Sequence, residues 1–163
     1  MIYVLIIILI VIGEYLIKNY VEAKLQKDDK KEILNGKIIL HKYYNRGAML
    51  NFMDNKKEIV KTASAICLGL VLLLFAIMLP KKGNKLYKLG LSFILGGAIS
   101  NVSDRYLRGY VVDYFSININ KCKKLKNIVF NLADFAIFIG TLFLLLSSVF
   151  SDAFQSSSNK TAE

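Results

Sequence analysis

Four long apolar segments restrict the fold of this chain more than any other feature. A helix of roughly 18 or more apolar residues can cross the hydrocarbon core of a bilayer, and the four segments approach or meet that length, at about residues 2–21, 60–79, 86–102 and 128–150. The sequence therefore predicts an all-α membrane protein, a four-transmembrane-helix bundle. By length it forms a single membrane-embedded domain over residues 1–155, followed by a polar C-terminal tail at 156–163.

The distribution of charge along the sequence indicates which partners the protein can bind. The net charge is +10, and the lysines cluster in the loops between the apolar segments, where they would meet anionic lipid headgroups. The basic residues form no aromatic-interleaved surface, so we expect membrane lipids and no nucleic acid as partners. For the segment Lys121–Lys126, a headgroup-facing element and a solvated loop are both consistent with the sequence.

The first apolar segment contains a pair of opposite charges. It lacks the basic start and the small-residue cleavage site of a secretory signal peptide, so we expect a retained span. Glu14 and Lys18 stand four residues apart, the spacing that brings opposite charges together on one helical face. They form either an ion pair at a helix end or a charged brace that points into the bundle.

The loop after this span has the pattern of a small sheet. Asn35-Gly36 is a dipeptide favoured in tight hairpin turns. Residues 38–44 are rich in β-branched and aromatic side chains, which suit a strand. We therefore predict a small β-sheet in this first loop, lying on the membrane face. His41 is the only histidine, and one imidazole cannot form a metal site, so no metal is expected.

Small residues end the third segment. Gly97 and its neighbours permit close approach of another helix, and Asn101 follows four residues later, so both face the same partner. With four spans both termini lie on one side of the membrane. The lysine counts of the loops do not decide which side that is.

Two carboxylates, Asp113 and Asp134, lie at the ends of long apolar segments, where burying an ionised group is costly and usually functional. Two such acids in contact share one proton, so that one activates water while the other polarises a carbonyl. That chemistry hydrolyses amides without a metal or a cofactor. The competing interpretation is two unrelated polar residues near helix ends, since spacing alone cannot bring them together. Asp104 is a third candidate, but beside Arg105 it is expected to form a local ion pair.

The chain resembles the lipoprotein signal peptidases (signal peptidase II) over nearly its whole length. The family pattern GG-A-x-G-N-x-x-D-R is similar to residues 96–105, and G-x-V-V-D-F is similar to residues 109–114. F-N-x-A-D matches residues 130–134, and N-x-G-A matches residues 45–48. Each motif is modest alone, but the ordered series around four spans is specific.

The resemblance implies that Asp113 and Asp134 are the catalytic residues of an aspartic endopeptidase. It implies removal of the signal peptide from a diacylglyceryl-modified prolipoprotein, just before the lipidated cysteine, by a protein expected to be a monomer. It places the protein in the bacterial cytoplasmic membrane with both termini cytoplasmic, the sheet extracytoplasmic and the site near the outer leaflet. The expected substrate-binding or supporting residues are Asn45, Gly47, Ala48, Gly97, Asn101, Arg105, Asn131, Ala133, Glu14 and Lys18.

Several positions depart from the family pattern. Glu14 stands where the family usually has Asp, and Ser100 replaces a usual Gly. Met49-Leu50 stands where the family often has a small residue and Phe. We expect these departures to affect substrate preference and to leave the two aspartates untouched.

Two other functions compete with the peptidase. A non-hydrolytic membrane relative that binds lipidated peptides is the alternative, although a binder has no need of two costly acids. A small transporter with a proton-coupled carboxylate would place its acids near the membrane midplane. Here Asp113 and Asp134 lie towards the ends of the spans.

Overall fold

The structure is a computed structural model that describes residues 1–26, 29–47, 54–118 and 128–160. Predictions that fall on Ala48, on Met49-Leu50 and on Lys121–Lys126 lie outside these residues.

Four helices make up most of the described part of the chain. They are α1 (Ile2–Lys24), α2 (Lys57–Met78), α3 (Lys85–Leu107) and α4 (Leu132–Lys160), with a short 3-10 turn (Asp54–Lys56) before α2. The helix α3 is central, because it contacts each of the other three. Each helix corresponds to one predicted apolar segment.

Three of the helices are apolar enough to be candidate membrane spans. In the described part of the chain these are Ile2–Lys24, Lys57–Met78 and Leu132–Phe150, and only 11% of the apolar stretch of α1 and of α2 is buried inside the protein. Side chains such as Leu9 and Leu73 point outward from them. An exposed apolar surface of this extent is typical of helices that face hydrocarbon. The helix α3 has the same length as α1, but it carries buried polar and charged groups on its packed faces.

A four-stranded antiparallel sheet lies beside the helices. Its order follows the chain: β1 (Lys31–Ile33), β2 (Ile38–Asn45), β3 (Val111–Ile117) and β4 (Val129–Phe130). The sheet predicted for the first loop is therefore only half of the observed one, because β3 and β4 come from the stretch between α3 and α4. The turn between β1 and β2 includes Gly36 at φ +77°, a left-handed conformation that glycine adopts without strain.

The pairing of β2 with β3 brings the first loop to Asp113. Tyr43 pairs with Asp113 and Asn45 pairs with Val111, after a register shift between Leu40 and Tyr43. Residues two apart on a strand share one face, so Asn45 is the diagonal neighbour of Asp113 across the pair. The sheet thus carries one amide from the first loop to one of the two predicted acids.

Glycines allow α3 and α4 to pack backbone to backbone. A Cβ on Gly90 would lie 2.7 Å from the carbonyl oxygen of Gly140, and a Cβ on Gly140 would lie 2.5 Å from that of Gly90. One end of this contact is at Gly97, which faces Ala133. The small-residue pattern predicted such a close approach without identifying the partner helix. The close approach holds the start of α4 against α3.

We expect Gly97→Ala to destabilise the protein. The added Cβ would overlap the carbonyl oxygen of Ala133 and lie 2.8 Å from Cγ1 of Ile137. Overpacking of this kind costs about 1–3 kcal/mol, more than the roughly 1 kcal/mol that alanine gains over glycine within a helix. Thermal unfolding in detergent measures the effect. Gly69→Ala is the matched control, because its Cβ meets nothing within 4 Å; equal stability of the two variants would contradict the packing argument.

Candidate active site

The two predicted acids meet at Asn131. Its side-chain Nδ2 donates a hydrogen bond to Oδ1 of Asp113 at 2.7 Å. Its backbone N–H donates to Oδ2 of Asp134 at 3.1 Å. One residue therefore bonds both carboxylates, although they stand 21 positions apart in the sequence.

A capping box sets the position of Asp134. Oδ1 of Asn131 accepts a hydrogen bond from the backbone N–H of Asp134 at 3.0 Å, and Asp134 returns the bond to the backbone N–H of Asn131. This reciprocal pair, three residues apart, satisfies amides that the first turn of a helix otherwise leaves unpaired. Asp134 therefore stands in the first turn of α4, where the helix dipole favours a negative charge.

Two further asparagines complete the shell around the acids. Nδ2 of Asn45 donates to Oδ2 of Asp113 at 3.0 Å. Nδ2 of Asn101 donates to Oδ1 of Asp134 at 2.9 Å. Each of the four carboxylate oxygens thus accepts an N–H from an asparagine, and the three asparagines come from the first loop, from α3 and from the start of α4.

Burial makes Asp113 a weak acid. Its side chain is 2% exposed. The pKa of Asp113 is raised to about 7, by desolvation first and by the charge of Asp134 second, while the hydrogen bonds from Asn45 and Asn131 and the charge of Lys18 act in the opposite direction. A carboxyl with this pKa is largely protonated below pH 7, as expected of one member of a proton-sharing pair.

Lys18 stands at the centre of a buried polar cluster behind the acids. Its Nζ donates to Oδ1 of Asn101 at 3.0 Å and to Oγ of Ser100 at 2.9 Å. It also pairs with Oε2 of Glu14 at 3.3 Å and with Oδ2 of Asp104 at 3.0 Å. Glu14 and Lys18 are 2% and 1% exposed, so they form the inward-pointing brace and not an ion pair at a helix end. Because Lys18 occupies the amide oxygen of Asn101, the amide nitrogen is turned towards Asp134.

Asp104 belongs to this cluster and not to a local pair with Arg105. Besides Lys18, it pairs with Nε of Arg108 at 3.2 Å and accepts a bond from the backbone N–H of Val112 at 3.3 Å. The predicted Asp104–Arg105 ion pair is wrong for a geometric reason. Adjacent helix residues point about 100° apart, whereas a residue four positions on lies on the same face.

Arg105 joins the first loop to α3. Its guanidinium donates to the backbone oxygens of Gly47, at 3.1 Å, and Asn101, at 3.3 Å. The N–H of Gly47 in turn donates to Oδ1 of Asn45 at 3.1 Å. The motif around Asn45 is therefore held over the two acids by a strand on one side and by an arginine on the other.

A cavity of about 580 Å³ adjoins the acids. Asp113, Asp134, Asn45, Asn101 and Arg105 supply its polar groups, and the remaining lining is apolar apart from one hydroxyl. The apolar lining was not predicted as part of the site. One signal for it exists in the sequence, because the α4 side chains involved recur at three-residue intervals on one helical face: Phe135, Phe138 and Thr141.

The site uses carboxylate, amide and guanidinium groups. Within the residues that the structure describes, no group of three or more His, Cys, Asp or Glu side chains is placed to hold a metal ion. The acids and amides around the cavity can transfer protons and form hydrogen bonds. The helix bundle has two neighbouring aspartates beside a largely apolar cavity. The protein therefore belongs to the class of membrane proteins with a paired-carboxylate site.

The family model described as "Signal peptidase (SPase) II" matches residues 6–150. The lipoprotein signal peptidase of Caldicellulosiruptor bescii is 35% identical over 140 residues, which cover 83% of this chain and 85% of the relative. That of Clostridioides difficile is 32% identical over 152 residues, which cover 92% of this chain and 96% of the relative. The chain belongs to the signal peptidase II family, which is a family of peptidases, and its apolar helices make it an integral membrane protein.

Solved structures share the fold. One bacterial membrane enzyme superposes with a TM-score of 0.77 at 24% identity, covering 93% of this chain and 88% of its own. A second superposes with a TM-score of 0.73 at 24% identity, covering 89% and 90%.

Proposed function

We propose that this protein is a lipoprotein signal peptidase, which hydrolyses the signal peptide from diacylglyceryl-modified prolipoproteins just before the lipidated cysteine. The observation that carries the proposal is the pair Asp113 and Asp134, with all four oxygens held by asparagine N–H groups beside an apolar cavity. Within the proposal, α3 is the fourth membrane span and the protein acts as a monomer in the bacterial cytoplasmic membrane. Both termini are cytoplasmic, and the sheet and the acids lie near the outer leaflet.

The roles of the two acids follow from their surroundings. Asp134 is the general base, because it stands in the first turn of α4, where negative charge is favoured, and is partly exposed to the cavity. It takes a proton from water as the water attacks the scissile carbonyl. Asp113 is the general acid, because burial keeps its proton in place, and it donates that proton towards the carbonyl oxygen. Hydrolysis by this route forms no covalent intermediate with the protein.

The cavity accounts for the class of substrate. Its apolar walls, Phe135 and Phe138 among them, suit acyl chains and the apolar part of a signal peptide. Its polar groups lie at the acids and at Arg105, whose guanidinium suits a carbonyl or a phosphate oxygen. A lipidated peptide therefore suits the cavity, because its acyl chains fit the apolar walls and its scissile peptide bond fits the polar groups.

The cleavage rate should fall as the pH rises through about 7. The mechanism requires Asp113 to be protonated, and its pKa is raised to about 7 by burial first and by the charge of Asp134 second. Above that value the active fraction falls about tenfold per pH unit; below it, protonation of Asp134 sets the acid limit of a bell-shaped profile. The pH dependence of kcat/KM for a synthetic lipidated precursor measures this. A rate that stayed constant from pH 6 to pH 9 would contradict the assignment of Asp113 as the acid.

The proposed function is tested with purified full-length protein in lipid cubic phase or detergent. The substrate is a diacylglyceryl-modified precursor peptide, and the control is the same peptide with an unmodified cysteine. We expect cleavage of the lipidated peptide alone, on the amino side of the modified residue, as mapped by mass spectrometry. Tight binding of many lipidated peptides without any cleavage would overturn the proposal in favour of a non-hydrolytic binder.

A further inference from the structure

Tyr114 links three parts of the protein through one buried hydroxyl. The side chain is 5% exposed and lies next to Asp113 on β3. Its hydroxyl donates to Oε1 of Glu14 on α1 at 2.8 Å. The same oxygen accepts the backbone N–H of Leu132, the first residue of α4, at 3.0 Å. Neither Tyr114 nor Glu14 is among the described residues that line the cavity.

The bond to Leu132 acts on the turn that carries Asp134. The first amides of a helix have no partner within the helix. In α4, the amide of Asp134 is satisfied locally by Asn131, whereas that of Leu132 is satisfied by Tyr114 from another element. Since Tyr114 follows Asp113 directly, the hydroxyl ties the strand that bears one acid to the helix turn that bears the other.

Glu14 determines which way the hydroxyl points. Burial and the neighbouring charge of Glu14 raise the pKa of Tyr114, so the phenol keeps its proton. A protonated phenol that donates to Glu14 presents its lone pairs to the N–H of Leu132. Glu14 is fixed in turn by Lys18 at 3.3 Å.

We infer that Tyr114, oriented by Glu14, is a positioning residue that sets the geometry of Asp134 relative to Asp113. The inference rests on the proposed function, because it assigns a role within the same hydrolytic site. Both residues also differ from the motifs that the chain resembles, since Glu14 stands in place of Asp and Tyr114 in place of Phe. The carboxylate of Glu14 accepts a hydrogen bond from the hydroxyl of Tyr114. That hydroxyl also bonds the backbone N–H of Leu132 in α4, which a phenylalanine cannot do.

Tyr114→Phe removes this hydroxyl with little change of shape. We expect kcat to fall about tenfold with KM within about twofold, because Tyr114 lies outside the lining of the cavity. The alkaline limb of the pH profile should also move to lower pH. The charge of Asp134 helps to raise the pKa of Asp113, and this effect weakens if Asp134 is displaced in the variant.

Tyr110→Phe is the matched control. The hydroxyl of Tyr110 also donates to a glutamate of α1, Oε1 of Glu22 at 2.9 Å, but Tyr110 has no such bond to α4 among the described contacts. We expect this control to keep the wild-type kcat and pH limb. Equal kcat values and pH limbs for Tyr114→Phe and Tyr110→Phe would overturn the inference, whereas a wild-type protein that cleaves nothing would instead overturn the proposed function.

A second variant carries the test if Tyr114→Phe does not fold. Glu14→Asp keeps a negative charge near Lys18 but shortens the side chain by one methylene, so we expect it to lose the bond to Tyr114. We expect Glu14→Asp to lower kcat to a similar extent, with no additional loss when it is combined with Tyr114→Phe, because both changes break one linkage. Independent, additive losses, or wild-type kcat in Glu14→Asp, would contradict the proposed coupling.

Discussion

Asp113→Asn and Asp134→Asn should each abolish cleavage of a lipidated precursor while leaving the protein folded. Asparagine has nearly the shape of aspartate but neither gives nor takes a proton at neutral pH. Loss of a general acid or a general base costs about 10²–10⁴-fold in rate, and the two groups here act on one water and one carbonyl. Single-turnover cleavage assays with purified variants measure the loss.

The control for these variants is Asp29→Asn. Asp29 is exposed in the first loop, where it caps a local turn by accepting the backbone N–H of Gln26 at 2.9 Å. We expect it to retain wild-type activity, and all three variants to show cooperative thermal unfolding. Full activity in either Asp113→Asn or Asp134→Asn would remove that residue from the mechanism.

Lys18→Met should destabilise the protein more than any other single substitution considered for this cluster. Lys18 is 1% exposed and pairs with two buried acids, Glu14 and Asp104. Methionine fills a similar volume but leaves those carboxylates without their shared cation. Removing one partner of a buried ion pair costs about 3–5 kcal/mol. The loss is smaller at Asp104 than at Glu14, because Asp104 keeps its ion pair with Arg108. Thermal unfolding in a mild detergent measures the loss.

Lys24→Met is the matched control, since Lys24 is an exposed lysine in the last turn of the same helix. Adding Glu14→Gln to Lys18→Met should recover part of the stability, because it removes one of the two uncompensated charges. A melting temperature for Lys18→Met equal to that of Lys24→Met would contradict the assignment of Lys18 as the centre of the cluster.

The helices were predictable because their signal is local. Each apolar segment corresponds to a helix, and the small residue Gly97 does allow close approach of another helix, which is α4. The Glu14–Lys18 spacing indicated an ion pair, but the residues alone did not decide between a helix end and the bundle interior. Burial of both side chains decides for the interior, since the partners on α3, Ser100 and Asp104 among them, are distant in sequence.

The meeting of Asp113 and Asp134 could not be predicted from their spacing. It depends on the pairing of β2 with β3 and on the backbone contact of α3 with α4, both of which join distant parts of the chain. Only the resemblance to a family suggested it. One local element was visible, the Asn131-x-x-Asp134 spacing, because a capping box needs residues three apart.

Two departures from the family pattern lie in the polar cluster around Lys18 and not in the described lining of the cavity. Glu14 and Ser100 were expected to affect substrate preference, yet both contact Lys18 and neither is among the described residues that line the cavity. Tyr114 contacts Glu14 as well. Their effect should therefore fall on the rate of the chemical step more than on the choice of substrate.

Cleavage of a lipidated precursor in ¹⁸O-labelled water, with hydroxylamine present, tests the central claim most directly. If water held between Asp113 and Asp134 is the nucleophile, the carboxyl end of the released signal peptide contains one ¹⁸O atom and no hydroxamate forms. A peptide hydroxamate, or a cut at any bond other than the one before the lipidated cysteine, would contradict the account.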